Sequence, residues 1–362
     1  MWNGGDPPAE AVAPRPIADE ELHLLARYTG QSDLAALREH VLALWRRACS
    51  GSAPVYLCVR ALMFLEPRVR SHLAYQRALQ LMADARQAAA AATAGGAAAP
   101  AKGGLGEAAA EAATAASGAS PAPPPLWIDV GAAVGTDVRQ LRVDGLAFEE
   151  LVALDVPDAR HYWDVGLELY QDASKPPCVA LFGDITDDAV LPPPAASASG
   201  TDAAVAAASA PQEDQQQQGQ PGQQQEQRWG SIAELAGSAQ VVSCTAVLHC
   251  LGQEQVAALL SKMTLLLRPG GLLLGSTLGA PTARPWEASY QAGHTRWLHS
   301  ADSLAAALEA AGFVQVEVAP TSWRDLAQHR GAIQPLVQQH VGSGLGEDDR
   351  CMLAFTAVRP AA

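Results

Sequence analysis

Trp127-Ile128-Asp129-Val130-Gly131-Ala132-Ala133-Val134-Gly135-Thr136-Asp137 is an apolar strand that runs straight into a glycine-lined turn. Leu126, Trp127, Ile128 and Val130 are apolar enough to be covered on both faces, as in a parallel sheet. Gly131 and Gly135 then remove side chains where the backbone must bend and approach a ligand. A turn of this kind at the mouth of a parallel sheet holds a nucleotide-like cofactor. A dinucleotide fingerprint would need glycine at positions 131, 133 and 136, and the chain has Gly131, Ala133 and Thr136.

Further landmarks follow in order. Glu150 to Val156 is a second apolar strand closing on Asp155, roughly 20 residues after the glycines, where a ribose-binding acid belongs. A third strand, Cys178 to Phe182, ends at Gly183-Asp184-Ile185. Taken singly, either acid reads equally well as a helix cap or turn residue. Ala239 to Cys244 is a fourth strand that leads into Thr245-Ala246-Val247-Leu248-His249. Apolar residues at helical spacing from Gln253 to Leu267 then stop at Arg268-Pro269-Gly270-Gly271, and Leu272 to Gly275 forms a fifth strand. A helix from Ser300 to Ala311 and strands Phe313–Val318 and Cys351–Val358 complete the order.

The spacing Asp129-x-Gly131-x-Ala133-x-Gly135 resembles the acidic-x-G-x-G-x-G loop of class I S-adenosylmethionine methyltransferases, with alanine at the middle glycine. The resemblance implies an α/β, Rossmann-like class I fold: a seven-stranded, mostly parallel sheet with a C-terminal antiparallel hairpin, helices on both faces and an N-terminal helical cap. It implies S-adenosylmethionine as cofactor, with Asp129, Gly131, Ala133 and Gly135 in the loop and Asp155 on the ribose. Asp184 and Ile185 would lie beside the adenine, and Cys244 and Thr245 beside the methyl group.

The 362 residues divide by composition. Residues 1–86 read as a helical region, 87–125 as an Ala/Gly/Pro-rich linker, and 126–362 as the core domain, interrupted at 191–228 by a Pro/Ala/Ser and glutamine-rich insert. In the first region Ser32 is the expected cap of a helix whose Leu34, Leu37, Val41, Leu44 and Trp45 share one face, expected to pack over the sheet domain.

A net charge of −14, from 38 acidic and 24 basic residues, suits nucleic acid poorly and favours a small-molecule substrate. The Asn/Asp-Pro-Pro-aromatic and Pro-Cys signatures of base methylation are missing after the fourth strand, which reads Ser243-Cys244-Thr245-Ala246. Cys49, Cys58, Cys178, Cys244, Cys250 and Cys351 show no C-x-x-C pair and read as reduced thiols. The spacing of Cys244, His249 and Cys250 matches no zinc site, so no metal is expected. No run of 18 apolar residues occurs and the N-terminus is proline-rich and acidic, which predicts a cytoplasmic protein without a membrane partner, as monomer or homodimer.

Tyr56-Leu57-Cys58-Val59-Arg60, together with Gly135-Thr136-Asp137-Val138-Arg139-Gln140-Leu141, is similar to segments of the small methyltransferases of fungal polyketide and meroterpenoid pathways. Leu57, Ala132 and Ala133 depart from that pattern. The resemblance implies methylation of a small molecule in secondary metabolism, with carboxyl or phenolic oxygen as the natural acceptor. His249 is the candidate general base or orienting partner, although a histidine among Val247, Leu248 and Leu251 is often a satisfied core residue. Tyr56, Arg60, Arg296 and His299 are candidates for the substrate pocket, where an arginine would suit a carboxylate. Asp137 is expected to cap the first core helix and Arg139 to be solvated. A NAD(P)-dependent Rossmann-fold reductase and a catalytically inactive cofactor-binding homologue are the alternatives.

Overall fold

The computed structural model describes residues 16–50, 59, 61–95, 124–193, 228–287, 295–322, 325 and 347–361. Seven strands form one sheet: β1 (Leu126–Val130), β2 (Leu151–Asp155), β3 (Val179–Phe182), β4 (Ala239–Thr245), β5 (Leu267–Gly279), β8 (Val314–Ser322) and β9 (Cys351–Val358). Their order is β3-β2-β1-β4-β5-β9-β8. The first five are parallel, whereas β9 pairs antiparallel with both β5 and β8. β6 (Arg284–Glu287) and β7 (Thr295–Leu298) form a separate antiparallel hairpin that the sequence patterns did not indicate.

Alternation along each strand sorts the core. Leu126, Ile128 and Val130 of β1 face the side covered by α6 (Gln253–Leu266) and α7 (Ala301–Ala310), where Leu259, Met263, Leu304 and Leu308 are buried. Trp127 faces the other side, together with Ala153, Val241, Leu272 and Leu274, under α3 (Tyr75–Gly95), α4 (Thr136–Val143) and α5 (Arg160–Leu169). α3 seats Tyr75, Ala78 and Met82 on the sheet, and Tyr75 meets Trp127 edge-on at 6.2 Å. Burial of the Met82 side chain alone is worth roughly 1.5–3 kcal/mol. The helix continues to Gly95, so residues 87–95, expected as linker, are helical. Residues 96–123 and 194–227, where the rest of the linker and most of the insert fall, lie outside the described residues.

One expectation about the N-terminal region is corrected. Asp33, not Ser32, caps α2 (Leu34–Ser50): its Oδ1 accepts from the backbone N–H groups of Ala35 and Ala36, both at 3.0 Å. A carboxylate one residue nearer the helix wins because it reaches two orphan donors at once. The face of Leu37, Val41, Leu44 and Trp45 is buried over the sheet domain as expected, against Tyr162 and Leu169 of α5. α1 (His23–Thr29) closes the same outer layer, fastened by Tyr28 Oη to Asp172 at 2.9 Å. Among the described residues no helix is long and apolar enough to cross a membrane.

Candidate active site

The carboxyl ends of β1, β2, β4 and β5 meet at the Gly131–Gly135 loop. Gly131 has φ +78°, and a Cβ there would lie 2.2 Å from Val247 Cγ2 in the segment after β4. Gly135 has φ +73°, and its Cβ would meet the Trp163 ring at 2.6 Å. Ala133 also sits in the left-handed region at φ +46°, and Ala246 at +59°. An L-residue there costs roughly 1–2 kcal/mol, so the alanine standing in the glycine pattern is held under strain. What holds it is Asp155, whose Oδ2 accepts from Ala133 N–H at 2.7 Å.

Three carboxylates converge on this loop. Asp129 is buried and accepts from Ser243 Oγ at 2.7 Å, and Ser243 in turn accepts from Trp127 Nε1 at 2.8 Å. Burial and repulsion from Asp137 raise the Asp129 carboxyl to about 8. Asp137 is likewise raised by burial, to about 6, and Asp155 is raised for the same reason. Such a cluster is short of positive charge, and a cationic ligand in the loop would relieve it. The narrow glycine-lined backbone and this donor set fit S-adenosylmethionine, which brings a sulfonium and an ammonium group. Among the described residues no His, Cys, Asp and Glu side chains group to hold a metal.

Asp184 lies after β3, exposed, with Oδ1 accepting from Thr186 N–H at 2.9 Å and Thr186 Oγ1 at 2.6 Å. Ile185 beside it is buried. At the end of β4, Cys244 is fully buried and Thr245 half-buried. His249 sits one turn on, where its Nδ1 lies 3.2 Å from Thr277 Oγ1 and accepts from Leu278 N–H at 3.4 Å. The ring proton is therefore assigned to Nε2. Burial first, and then the nearby Arg296 and Arg68 cations, depress its pKa to about 3, so the ring is neutral.

The hairpin brings the substrate candidates alongside. Trp297 N–H donates to Leu251 O at 2.9 Å, which fastens β7 to the segment of His249. Arg296 is buried, with its guanidinium 5.6 Å from the Trp286 ring centre. His299 is buried too; its Nδ1 bonds Ser303 Oγ at 3.0 Å, while its Nε2 and the Trp286 and Trp297 indole nitrogens find no partner among the described residues. Tyr56 and Arg60 lie outside the described residues.

Two functional positions were missed by sequence reasoning. Arg68 acts electrostatically on both Asp137 and His249. Its turn is pinned by Val69 N–H, which donates to Asp137 Oδ1 at 3.0 Å. Asp137, expected to cap α4, instead caps this remote turn, and α4 starts after Gly135 with no side-chain cap. Arg139, expected to be solvated, is wholly buried: it forms a two-pronged pair with Asp172, both contacts at 2.8 Å, and donates to Val134 O at 2.7 Å and Gly135 O at 3.1 Å. Its guanidinium lies 4.4 Å from the Tyr170 ring centre. Arg139 is thus the buttress of the glycine loop. The only local signal was its position four residues after Gly135.

A family model described as a methyltransferase domain matches residues 102–318. That is more than half of the chain, and the chain belongs to this family. The chain thus carries a methyltransferase domain, and its strand order, five parallel strands followed by an antiparallel pair at one edge, is the one expected of the class I fold. No curated protein matches. Among solved structures it is similar to Haemonchus contortus phosphoethanolamine N-methyltransferase 2 in complex with S-adenosyl-L-methionine, at 14% identity and TM-score 0.38, covering 65% of this chain and 49% of that one. It is also similar to Burkholderia thailandensis 1,6-didemethyltoxoflavin-N1-methyltransferase, at 14% identity and TM-score 0.37, covering 86% and 93%. The chain spans about half the length of the first of these.

Proposed function

We propose that the protein methylates a carboxylate oxygen of a small acid in cytoplasmic secondary metabolism. What supports this reading is that the Arg68 and Arg296 charges both act on His249, a neutral ring after β4. Two guanidinium groups supply the charge and the paired donors that a carboxylate takes up. A histidine depressed to about 3 is a poor base near neutral pH, so a phenol would arrive without a group to deprotonate it, whereas a carboxylate arrives ionised. The remaining donor, His249 Nε2–H, would orient the acceptor oxygen. Asp155 would hold the ribose, Asp184 and Ile185 the adenine side, and Asp129 with Gly131, Ala133 and Gly135 the amino-acid side of the cofactor; Cys244 and Thr245 would line the wall beside the methyl group. When bound, S-adenosylmethionine supplies an electrophilic methyl group. The chain's share is to position the acceptor, which for well-oriented reactants is worth roughly 7–11 kcal/mol of barrier. The secondary-metabolism part is supported by the similarity of Tyr56–Arg60 and Gly135–Leu141 to the fungal small-molecule enzymes.

The test is turnover of paired substrates, aromatic and aliphatic acids against the matching phenols, followed by mass spectrometry. Methyl esters are expected, with a kcat that stays flat from pH 6 to pH 9 and a KM for acids raised about tenfold or more in Arg68→Gln and Arg296→Gln, the loss of one charge-assisted bond. Phenyl ethers as the product, with kcat rising through that range, would overturn the carboxylate reading.

A further inference from the structure

A cavity of about 640 Å³ lies at the opposite end of the sheet from the glycine loop, at the amino ends of β2 and β3. Its walls come from the end of α1, the end of α4, the turn before β2 and the connection from α5 to β3. Arg27, Arg142 and Lys175 line it, beside the rings of Tyr28, Phe148 and Tyr170. Three cations around one cavity stand out in a chain of net charge −14. Among the described residues neither the Arg27 nor the Lys175 side chain forms an ion pair or hydrogen bond. Glu149 at the rim is the opposing acid, since the other lining carboxylate, Asp172, is neutralised by Arg139. Gln171, on the same wall, takes the left-handed conformation (φ +56°) that ends α5, with Asp172 N–H returning to Leu167 O at 3.0 Å.

The cavity is also wired to the cofactor loop. Tyr28 Oη donates to Asp172 Oδ2 at 2.9 Å, Asp172 holds Arg139, and Arg139 donates to the carbonyls of Val134 and Gly135. Whatever shifts Tyr28 shifts the partner of the loop's buttress.

The geometry points to a second ligand site here, taking a small organic dianion, a phosphate or dicarboxylate carried on a flat apolar body, whose binding is felt at the cofactor loop through Tyr28, Asp172 and Arg139. The volume suits a metabolite larger than a free inorganic anion. Cations read the anionic end and the aromatic walls cover the body.

Titration calorimetry of the full chain with phenyl phosphate, inorganic phosphate and phenol tests the site. Phenyl phosphate is expected to bind saturably with one site per chain, inorganic phosphate at least tenfold more weakly, and phenol without measurable heat. The double variant Arg27→Ala/Lys175→Ala, both residues being exposed, is expected to weaken phenyl phosphate at least tenfold. No binding of phenyl phosphate, or undiminished binding to the double variant, overturns the site. The coupling rests on the loop's holding the cofactor, and S-adenosylhomocysteine affinity with and without phenyl phosphate measures it: a change of threefold or more is expected, lost in Tyr28→Phe. Equal affinities overturn the coupling. If S-adenosylhomocysteine binds in neither condition, the reading of the loop fails and the coupling with it, while the phenyl phosphate isotherm still decides the cavity.

Discussion

Gly131 meets two demands that no other residue satisfies together. Its φ of +78° lies in the left-handed region, and a methyl group there would collide with Val247 at 2.2 Å, so the strand can turn under the segment after β4 only if the side chain is absent. Gly131→Ala is expected to weaken S-adenosylhomocysteine at least about tenfold, the equivalent of roughly 1.4 kcal/mol, because Val247 must move into the cofactor's space. Unchanged affinity by calorimetry would show that the loop relaxes elsewhere. Asp155 had its place at the end of β2 legible from strand length alone. Its bond to Ala133 N–H was not, since only the folded loop brings that donor round to it.

Among the elements, α4 and α5 decide how firmly the loop is held. Arg139 projects from α4 beneath the loop, and the Asp172 that pairs with it follows α5, so the two helices are joined by an ion pair with both side chains buried. Removing one partner leaves the other charged and buried, and Asp172→Asn is expected to cost about 3–5 kcal/mol. Chemical denaturation measures it, and a loss under 1 kcal/mol would mean that water replaces the partner. α2 offers a milder case. Asp33→Ala strips the cap from two N–H groups and is expected to cost about 1 kcal/mol in the same assay, with Ser32→Ala near neutral. The capping error has a physical origin: serine and aspartate are adjacent and both are good caps, and only the backbone path shows which of them reaches the donors.

For the whole molecule, the acid cluster sets the pH dependence of stability. Asp129 at about 8 lies far above the value of roughly 3.9 for an exposed aspartate, so between those limits the folded chain holds a proton that the unfolded chain has lost. Stability from this group therefore falls as pH rises towards 8. Asp137, at about 6, works in the same direction over a narrower span. His249, depressed to about 3 from roughly 6.5, works the other way, adding stability as pH rises between those values. Above pH 6.5 the histidine no longer contributes, and of these three groups Asp129 alone still titrates. The melting temperature is expected to fall from pH 6.5 to pH 8, and the fall to be smaller in Asp129→Asn; parallel curves for the two proteins would refute the assignment.

The sequence by itself determined the sheet and the loop. Both are written in local patterns: runs of apolar residues with acids at their ends, glycines at fixed offsets, and a Pro269-Gly270-Gly271 turn that β5 carries into the sheet. Tertiary structure alone decided how the site is furnished. The charges of Arg68 and Arg296 act on His249 from separate stretches of chain, and Tyr28 reaches Asp172 across 144 positions. No local spacing encodes such meetings, because they depend on which helix wins which face of the sheet. α3 covers Trp127 of the sheet, while Trp163 of α5 and Tyr170 and Asp172 after it bury Arg139 beneath the loop.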